Sequence, residues 1–459
     1  MRCRLVAREF AEKGNRDDLF AGTPPLISVR VLLSMLAMSR ARGENTDAMA
    51  IDIKCAFLYG STKRSVYIWL PPEDDMSTAC FMGKLNKAMY GTRDAPQVWQ
   101  GKVRETMAEF GLLESSTQPG IYYCDKRKLY IVSHVDDFLC VGSTEHLLWF
   151  REALENKFEI KSKVLSDCGE LSFLGRTIRS TEYGIELEAD TKHVRVLLQE
   201  WGMENCNACD TPLGEDAKSG TVEMSTLDAK KYRRAVARIN YLGQDRPDLN
   251  VAGRVLAMQM AKPMVGDEVL VKRVLRYLKG NPRSVYVYSY CSDPGNLVLY
   301  TDSDWGGCKK TRRSTSGGVL FHGPHLIAHW SKVQSTPAPS SGEAELNAAS
   351  KGISEVLSVR HLLTEMQIPV TVKQYLDASA AKGTMMRKGA GRIKHLEVRQ
   401  LWCQAMVEKY EISVLKVPRK LNLADVLTHA VPRRCWSLFL EAVNVYLSAE
   451  PWANCGYGS

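Results

Sequence analysis

The chain has 459 residues, of which 45% are hydrophobic and 25% are charged, a composition typical of a globular protein with about three domains. Lys and Arg outnumber Asp and Glu by 61 to 52, for a net charge of +9, which suits a nucleic-acid partner without requiring one. The charged N-terminus and the lack of any apolar run near the roughly 20 residues of a membrane span predict a protein that is neither secreted nor membrane-bound. The 13 cysteines are scattered and odd in number, which argues against a disulfide framework and favours a reducing compartment.

The first 210 residues alternate helical and strand patterns. Apolar spacing predicts a helix over residues 29–41 and the start of a strand in residues 49–58. Residues 129–141 form two apolar runs separated by two adjacent acids, which predicts a β-hairpin with the acids at its tip.

Two polar segments containing Pro and Gly, residues 210–227 and 288–296, are predicted to be connectors. Between them, residues 228–278 have helical spacing, and Gly280 and Pro282 end the second helix. The last portion is predicted to be a mixed α/β unit. Its predicted elements are a strand over 297–301, a hairpin over 317–331, a helix begun by a Ser340-x-x-Glu343 capping box, and a strand over 370–376.

Three aspartates in the first portion are hard to explain as structure. Asp52 interrupts an apolar strand, and Asp136 and Asp137 interrupt a run that otherwise suits burial. Unpaired buried carboxylates cost several kcal/mol each, and adjacent acids repel unless a cation intervenes. Magnesium accepts carboxylates together with substrate phosphates, so the pattern favours a two-metal site. An exposed Asp-rich turn remains the alternative explanation of the bare pair.

Seven blocks in the first portion resemble copia-type reverse transcriptases in order and approximate spacing. They are RLVAREF (4–10), SVRVLLSMLA (28–37), AIDIKCAFLYG (50–60), VYIWLPPE (66–73), KLNKAMYGTRDAPQVW (84–99), HVDDFLCVG (134–142) and SFLGRTI (172–178).

This resemblance implies a right-hand polymerase with a palm, fingers and thumb, in which Asp52, Asp136 and Asp137 hold the catalytic metals. It implies a nucleotide-binding role for four residues: Phe57, Tyr90, Gly91 and Arg93. For Phe57, a core aromatic at a strand-to-helix junction is the alternative. It further implies that Phe173, Leu174 and Gly175 grip the primer end.

The C-terminal portion carries four further acids on four different elements, Asp302, Glu345, Asp377 and Asp425. Their context resembles the copia-type ribonuclease H domain, supported by RRSTSGGVLF (312–321), HWSKVQ (329–334) and KHLEVR (394–399). The resemblance implies a second two-metal site that cuts the RNA strand of an RNA–DNA hybrid. Asp304 competes with Asp302 for the first position, and Asp302 is preferred because it directly ends the strand.

The resemblance implies an α/β (α+β) fold in four parts. These are partial fingers, palm and thumb over residues 1–210, a helical connection over 211–295, an RNase H-like α/β domain over 296–430, and a tail of unknown role over 431–459. The family's fingers strands before RLVAREF are expected to be missing from this chain, together with any protease and integrase.

The implied cofactor is Mg²⁺ or Mn²⁺, with two ions in each active site. The implied partners are an RNA template, a DNA primer, dNTPs and an RNA–DNA hybrid, and basic stretches at 309–313 and 387–395 support them. The implied location is the cytoplasm, in a virus-like particle, with access to the nucleus left open.

Several positions depart from the family pattern: His134 stands where tyrosine is usual, and residues 92–94 and Gln97 lower the positive charge of the nucleotide pocket. Two alternatives to an active enzyme therefore stay open. One is a catalytically inactive remnant, and the other is a domesticated nucleic-acid-binding protein that performs no chemistry.

Overall fold

The computed structural model describes residues 5–9, 22–71, 73–74, 82–214, 222–293, 295–389 and 398–448, with only the backbone of 398–400. The chain divides into two compact units, one of Met1–Leu174 with Glu365–Ile368, the other of Gly175–Thr364 with Pro369–Ser459. Within the described ranges, no helix is both long enough and apolar enough to cross a bilayer.

The first unit is built around an antiparallel sheet with the strand order β4-β5-β6-β7-β1-β8. Its helices are α1 (Leu26–Ala41), α2 (Ala95–Glu109), α3 (Thr144–Glu155) and α4 (Leu165–Cys168). Its strands are β1 (Thr46–Ile53), β2 (Tyr67–Trp69), β3 (Met82–Lys84), β4 (Leu113–Glu114), β5 (Ile121–Cys124), β6 (Leu129–His134), β7 (Asp137–Ser143), β8 (Ile160–Val164) and β9 (Glu170–Phe173).

The predicted helix, strand and hairpin of the first portion are confirmed as α1, β1 and the β6–β7 pair. Strand β1 lies between β7 and β8, where Met49 and Ile51 enter the core together with Trp99 and Phe150. This central position explains why most of β1 is apolar. Asp52 is exposed near its end and avoids the core, whereas Asp47, the other acid of the strand, is buried and pairs with Arg40 at 2.6 Å.

The second unit contains two sheets with several helices. Its helices are α5 (Lys192–Trp201), α6 (Thr226–Leu242), α7 (Asn250–Ala257), α8 (Asp267–Gly280), α9 (Ser341–Glu365), α10 (Ser379–Met386), α11 (Val398–Lys409) and α12 (Arg433–Ala442). Its strands are β10 (Arg176–Ser180), β11 (Gly184–Glu188), β12 (Arg283–Ser289), β13 (Leu297–Ser303), β14 (Thr315–His322), β15 (His325–Val333), β16 (Val372–Leu376), β17 (Ser413–Lys416) and β18 (Val445–Ser448).

One of these sheets has the order β15-β14-β13-β16-β17, with β13, β16 and β17 parallel and β14 and β15 antiparallel. The predicted strands, hairpin and capped helix of the last portion are thus confirmed, and Ser340 Oγ accepts the N–H of Glu343 at 3.2 Å. Helix α9 packs closely on β13, because a Cβ built at Gly352 would lie 2.5 Å from Thr301 Cγ2.

The other sheet joins distant parts of the second unit. Strand β12 pairs with β11 on one side and with β18 on the other. Residues 433–448 of the predicted tail therefore form α12 and β18, while 449–459 lie outside the described residues. The four-part division of the sequence stays a prediction.

A buried ion pair allows the stability of the second unit to be tested. The side chains of Arg246 and Asp248 are 1% and 0% exposed and 2.6 Å apart, and Tyr277 donates its hydroxyl to Asp248 at 2.8 Å. We expect Asp248→Ala to lower the free energy of unfolding by about 3–5 kcal/mol, because it leaves the buried Arg246 charge without a countercharge. Urea denaturation followed by circular dichroism would measure the change.

The matched control is Asp210→Ala, which removes an aspartate whose pair with Arg433 is 69% exposed at both side chains. Its effect should stay below about 1 kcal/mol, since exposed pairs contribute little. Equal losses of unfolding free energy in the two variants would show that burial does not determine how much an ion pair contributes to stability.

Candidate active sites

The β6–β7 hairpin places two carboxylates next to a third on β1. Asp137 opens β7 and lies directly opposite Asp52 in the antiparallel register, while Asp136 occupies the turn. The turn is tight, with Val135 at φ +56° and the Ile53 N–H donating to Asp136 O at 2.9 Å. Side chains opposite each other on paired strands have Cβ atoms roughly 5 Å apart, so the three acids share one edge of the sheet.

The electrostatics of this edge favour a cation. Burial raises the pKa of Asp137 above its usual value, and the carboxylates of Asp136 and Asp52 raise it further. A divalent ion would remove this repulsion. The metal-holding role of the three aspartates stays a prediction.

Aromatic and charged contacts surround the predicted nucleotide segment. The rings of Phe57 and Tyr90 lie 4.8 Å apart. Gly91 has φ +89°, and a Cβ there would come within 1.9 Å of Ala7 O, so only glycine fits beside the Ala7 backbone. The backbone N–H of Arg93 donates to Glu9 at 2.8 Å.

Sequence reasoning missed an ion triad in this region. The guanidinium of Arg64 donates to both carboxylate oxygens of Glu9, at 2.8 and 2.6 Å, and to both of Asp94, at 2.8 and 2.9 Å. These bonds lower the pKa of both acids. The triad fixes the short segment 5–9 against the loop before α2.

The three residues of the predicted primer grip form a strand end and a turn. Phe173 ends β9 and is buried, while Leu174 and Gly175 follow with φ of +50° and +74°. Two successive positive φ angles are typical of a type I′ turn. A role in holding the primer stays a prediction.

The C-terminal acids meet at one end of the β13–β16 sheet. Asp302 lies near the end of β13, and Asp377 directly follows β16, its parallel neighbour. Parallel neighbours end at the same edge, which brings both acids together. Glu345 lies two turns before Gly352 on α9, on the face that packs against β13.

These three carboxylates come closer than ordinary surface acids. Ligand oxygens of Asp302, Glu345 and Asp377 lie within 4.8 Å of one another, the one group of three or more with this spacing among the described residues. Burial, followed by the neighbouring acids, raises the pKa of Asp302 to about 7 and that of Glu345 to about 9. One oxygen of Glu345, Oε2, is buried with no hydrogen-bond partner. Hard oxygen donors with an unsatisfied buried oxygen fit a hard divalent cation.

A fourth acid and two polar residues complete the rim of this cluster. Asp425 begins the single-turn 3₁₀ helix Asp425–Leu427, raises the pKa of Asp302 through its charge, and lies 3.5 Å from Arg419 Nε. The amide of Asn422 donates to Asp302 Oδ1 at 3.2 Å. Thr428 lowers the pKa of Asp302, and its hydroxyl donates to Asp425 O at 2.7 Å. Sequence patterns gave no sign of Asn422 or Thr428, which lie in an irregular segment.

Asp304 has a different position from the cluster. Its carboxylate accepts the N–H of Thr315 at the start of β14 and so holds the loop after β13. The choice of Asp302 over Asp304 as the catalytic acid stays a prediction. Of the basic stretches, 309–313 is largely exposed, whereas 390–397 lie outside the described residues.

Comparison with known proteins identifies the family. The family described as "Reverse transcriptase (RNA-dependent DNA polymerase)" matches residues 1–215. The Retrovirus-related Pol polyprotein from transposon RE1 of Arabidopsis thaliana is 27% identical over 455 residues, which is 97% of this chain. An uncharacterized mitochondrial protein of the same plant is 33% identical over 231 residues, covering 50% of this chain and 93% of its own length. The chain belongs to the copia-type Pol polyprotein family.

The matched region is a part of the family's full-length proteins. The copia-type chain described here spans 30% of the length of the RE1 polyprotein. Among solved structures, the RNase H1 of Halobacterium salinarum NRC-1 overlaps 29% of this chain and 95% of its own. The overlap has 17% identity and a TM-score of 0.23, which is too low to support an argument.

The raised pKa of Glu345 predicts how the stability of this copia-type chain changes with pH. The pKa of Glu345 is about 9 in the folded chain, against the ordinary value of 4.5 that applies when the chain is unfolded. The contribution of this group to stability is therefore fully present below pH 4.5 and is lost as the pH rises toward about 9. We therefore expect Glu345→Gln, without divalent ions, to be more stable than wild type at pH 8 by on the order of 2 kcal/mol, with no gain at pH 4. Urea denaturation at both pH values would measure it.

Glu355→Gln provides the control on the same helix, because Glu355 is half-buried and paired with Lys351 outside the cluster. Its effect on stability should be within about 0.5 kcal/mol of zero at both pH values. A gain at pH 8 that is no larger for Glu345→Gln than for this control would contradict the repulsion inferred at the cluster.

Proposed function

We propose that this chain carries out RNA-directed DNA synthesis at the Asp52, Asp136 and Asp137 site and hydrolyses the RNA strand of RNA–DNA hybrids at the Asp302 site. The observation that carries the proposal is the meeting of carboxylates from distant parts of the sequence, twice, at the edge of a sheet. Membership of the copia-type Pol family supports both activities.

In both sites the protein supplies oxygen ligands and position. When bound, two Mg²⁺ or Mn²⁺ ions in each site would supply the positive charge needed for in-line displacement at phosphorus. In the first site, Asp52 and Asp137 provide oxygens from two paired strands, so the sheet fixes their spacing. In the second, Asp302, Glu345 and Asp377 do the same from two strands and a helix, and Asp425 adds negative charge at the rim.

Neighbouring residues of the first site give it the character of a nucleotide pocket. Phe57 follows the end of β1 by four residues and packs against Tyr90 with the two rings tilted by 56°, so the pair offers an apolar wall to a deoxyribose. In the triad, Glu9 and Asp94 neutralise the charge of Arg64, which could otherwise bind a triphosphate. The triad instead holds the segment around Gly91 in place, so Arg64 positions the nucleotide pocket and does not contact the nucleotide.

In the second site, binding of a divalent ion requires the release of protons. Glu345 and Asp302, with pKa values of about 9 and about 7, carry protons for much of the neutral range when no cation is present. Both must lose a proton from a carboxylate oxygen before they can bind a divalent ion. Asn422, which donates to Asp302 Oδ1, keeps that carboxylate turned into the cluster.

Two reciprocal variants test the two activities on the same chain. Asp137→Asn should reduce primer extension on an RNA template by about 100-fold or more, since loss of a ligand should exceed the roughly 10–100-fold effect of losing an outer partner. Glu345→Gln should reduce hybrid cleavage by a similar factor. Each variant serves as the folding control for the other, because each should retain the activity of the unaltered site.

Other outcomes would identify the alternatives. Cleavage without extension by the wild-type chain would restrict the enzyme to the nuclease site. Salt-dependent binding of nucleic acid with neither activity would indicate a binding protein. Neither activity and no binding would indicate an inactive remnant. Loss of both activities in either single variant would contradict two separate sites.

A further inference from the structure

The loop between β13 and β14, residues 304–314, is an exposed cationic surface beside the nuclease cluster. It begins two residues after Asp302, and four of its residues are exposed cations: Lys309, Lys310, Arg312 and Arg313. No acid lies between residues 305 and 314 to offset them. A strongly basic surface therefore adjoins a strongly acidic cluster.

Hydrogen bonds within the loop hold these cations in place. The N–H of Gly306 donates to Ser314 Oγ at 3.0 Å, and the N–H of Arg312 donates to Cys308 O at 2.7 Å. A Cβ built at Gly307 would lie 1.9 Å from Asp304 Oδ2, so a larger residue here would displace that carboxylate. Arg312 has φ +55°, a conformation that a non-glycine residue adopts rarely and that the surrounding bonds must maintain.

The same loop presents a large aromatic ring to solvent. Trp305 is 60% exposed, although its indole N–H is fixed by a bond to Ala338 O at 3.1 Å. An indole held at one edge, with much of its surface exposed, can pack against a sugar or a base without losing much side-chain freedom. Exposure of such a ring next to four cations indicates a binding surface.

We propose that the 304–314 loop docks the sugar–phosphate backbone of an RNA–DNA hybrid beside the nuclease cluster. This inference rests on the proposed nuclease function and adds a binding surface to it. The Lys and Arg side chains neutralise backbone phosphates without reading sequence, and Trp305 packs against the sugar edge of the groove. The acidic cluster repels phosphates until it binds cations, so a neighbouring source of attraction is needed to hold the duplex.

Binding can be measured separately from cleavage. The full chain carrying Glu345→Gln is titrated into a fluorescent RNA–DNA hybrid at several salt concentrations, and anisotropy gives the binding constant. Adding Lys309→Ala and Lys310→Ala should weaken binding by about 10- to 100-fold near 0.1 M salt and lower the slope of log K against log salt by up to about 2. The charge-matched control adds Lys230→Ala and Lys279→Ala, which remove two exposed lysines from α6 and α8. This control should leave the slope unchanged.

Two variants at residue 305 separate the ring from the charges. Trp305→Ala should weaken hybrid binding by about 5- to 10-fold with an unchanged salt slope, because packing of the ring against a sugar contributes on the order of 1 kcal/mol and releases no counterions. Trp305→Phe should keep most of the affinity, since it preserves a flat ring while losing the bond to Ala338. If Trp305→Phe binds the hybrid as weakly as Trp305→Ala, the proposed contact between the ring and the sugar is overturned, and the indole serves only to anchor the loop.

Each remaining result has one meaning. If the loop lysines change the binding no more than the control lysines do, the docking proposal is overturned, even when the wild-type chain cuts hybrids. If the wild-type chain fails to cut but the loop variants weaken binding as expected, the nuclease function fails and the docking surface stands. A hybrid that does not bind at all overturns both. If the loop variants weaken binding to duplex DNA more than binding to the hybrid, the surface docks duplex DNA and the proposal of a hybrid is overturned.

Discussion

Carboxylates that a chain gathers from distant positions repel one another, and each proposed site exists only because strand pairing overcomes that repulsion. Asp52 and Asp137 are 85 positions apart in the sequence, yet the β1–β7 register sets them opposite each other. Asp302 and Asp377 are brought together by parallel pairing of β13 and β16, and Glu345 by the close packing of α9 at Gly352. The apolar strands and helices therefore supply the free energy that holds the acids in place.

The two sites resolve their repulsion to different extents. In the first site, Asp52 lies near the end of β1 and remains exposed, so water screens much of its charge. In the second cluster, burial and the neighbouring acids raise the pKa of Asp302 and Glu345, so protons rather than water offset their charge. Burial thus makes the second cluster the more sensitive of the two to pH and to divalent cations.

Local patterns predicted the elements that carry the acids, whereas their meeting depended on topology. The hairpin at residues 129–141 and the strand ending at Asp302 follow from alternating or continuous apolar runs bounded by acids, which one segment of sequence reveals. The parallel pairing that joins Asp302 to Asp377 involves residues about 75 positions apart and is invisible to any local pattern. Asn422 and Thr428 lie in irregular segments without periodicity, and the Arg64 triad combines three separate segments, so neither could be predicted.

The pairing of β18 with β12 affects how the C-terminal portion can be isolated. A fragment cut at residue 430 would remove β18 and leave one side of β12 without a neighbour. Unpaired strand edges of this kind recruit other chains and promote aggregation. Fragments for biochemical work should therefore begin before β10 and continue through Ser448, so that β12 keeps both of its neighbouring strands.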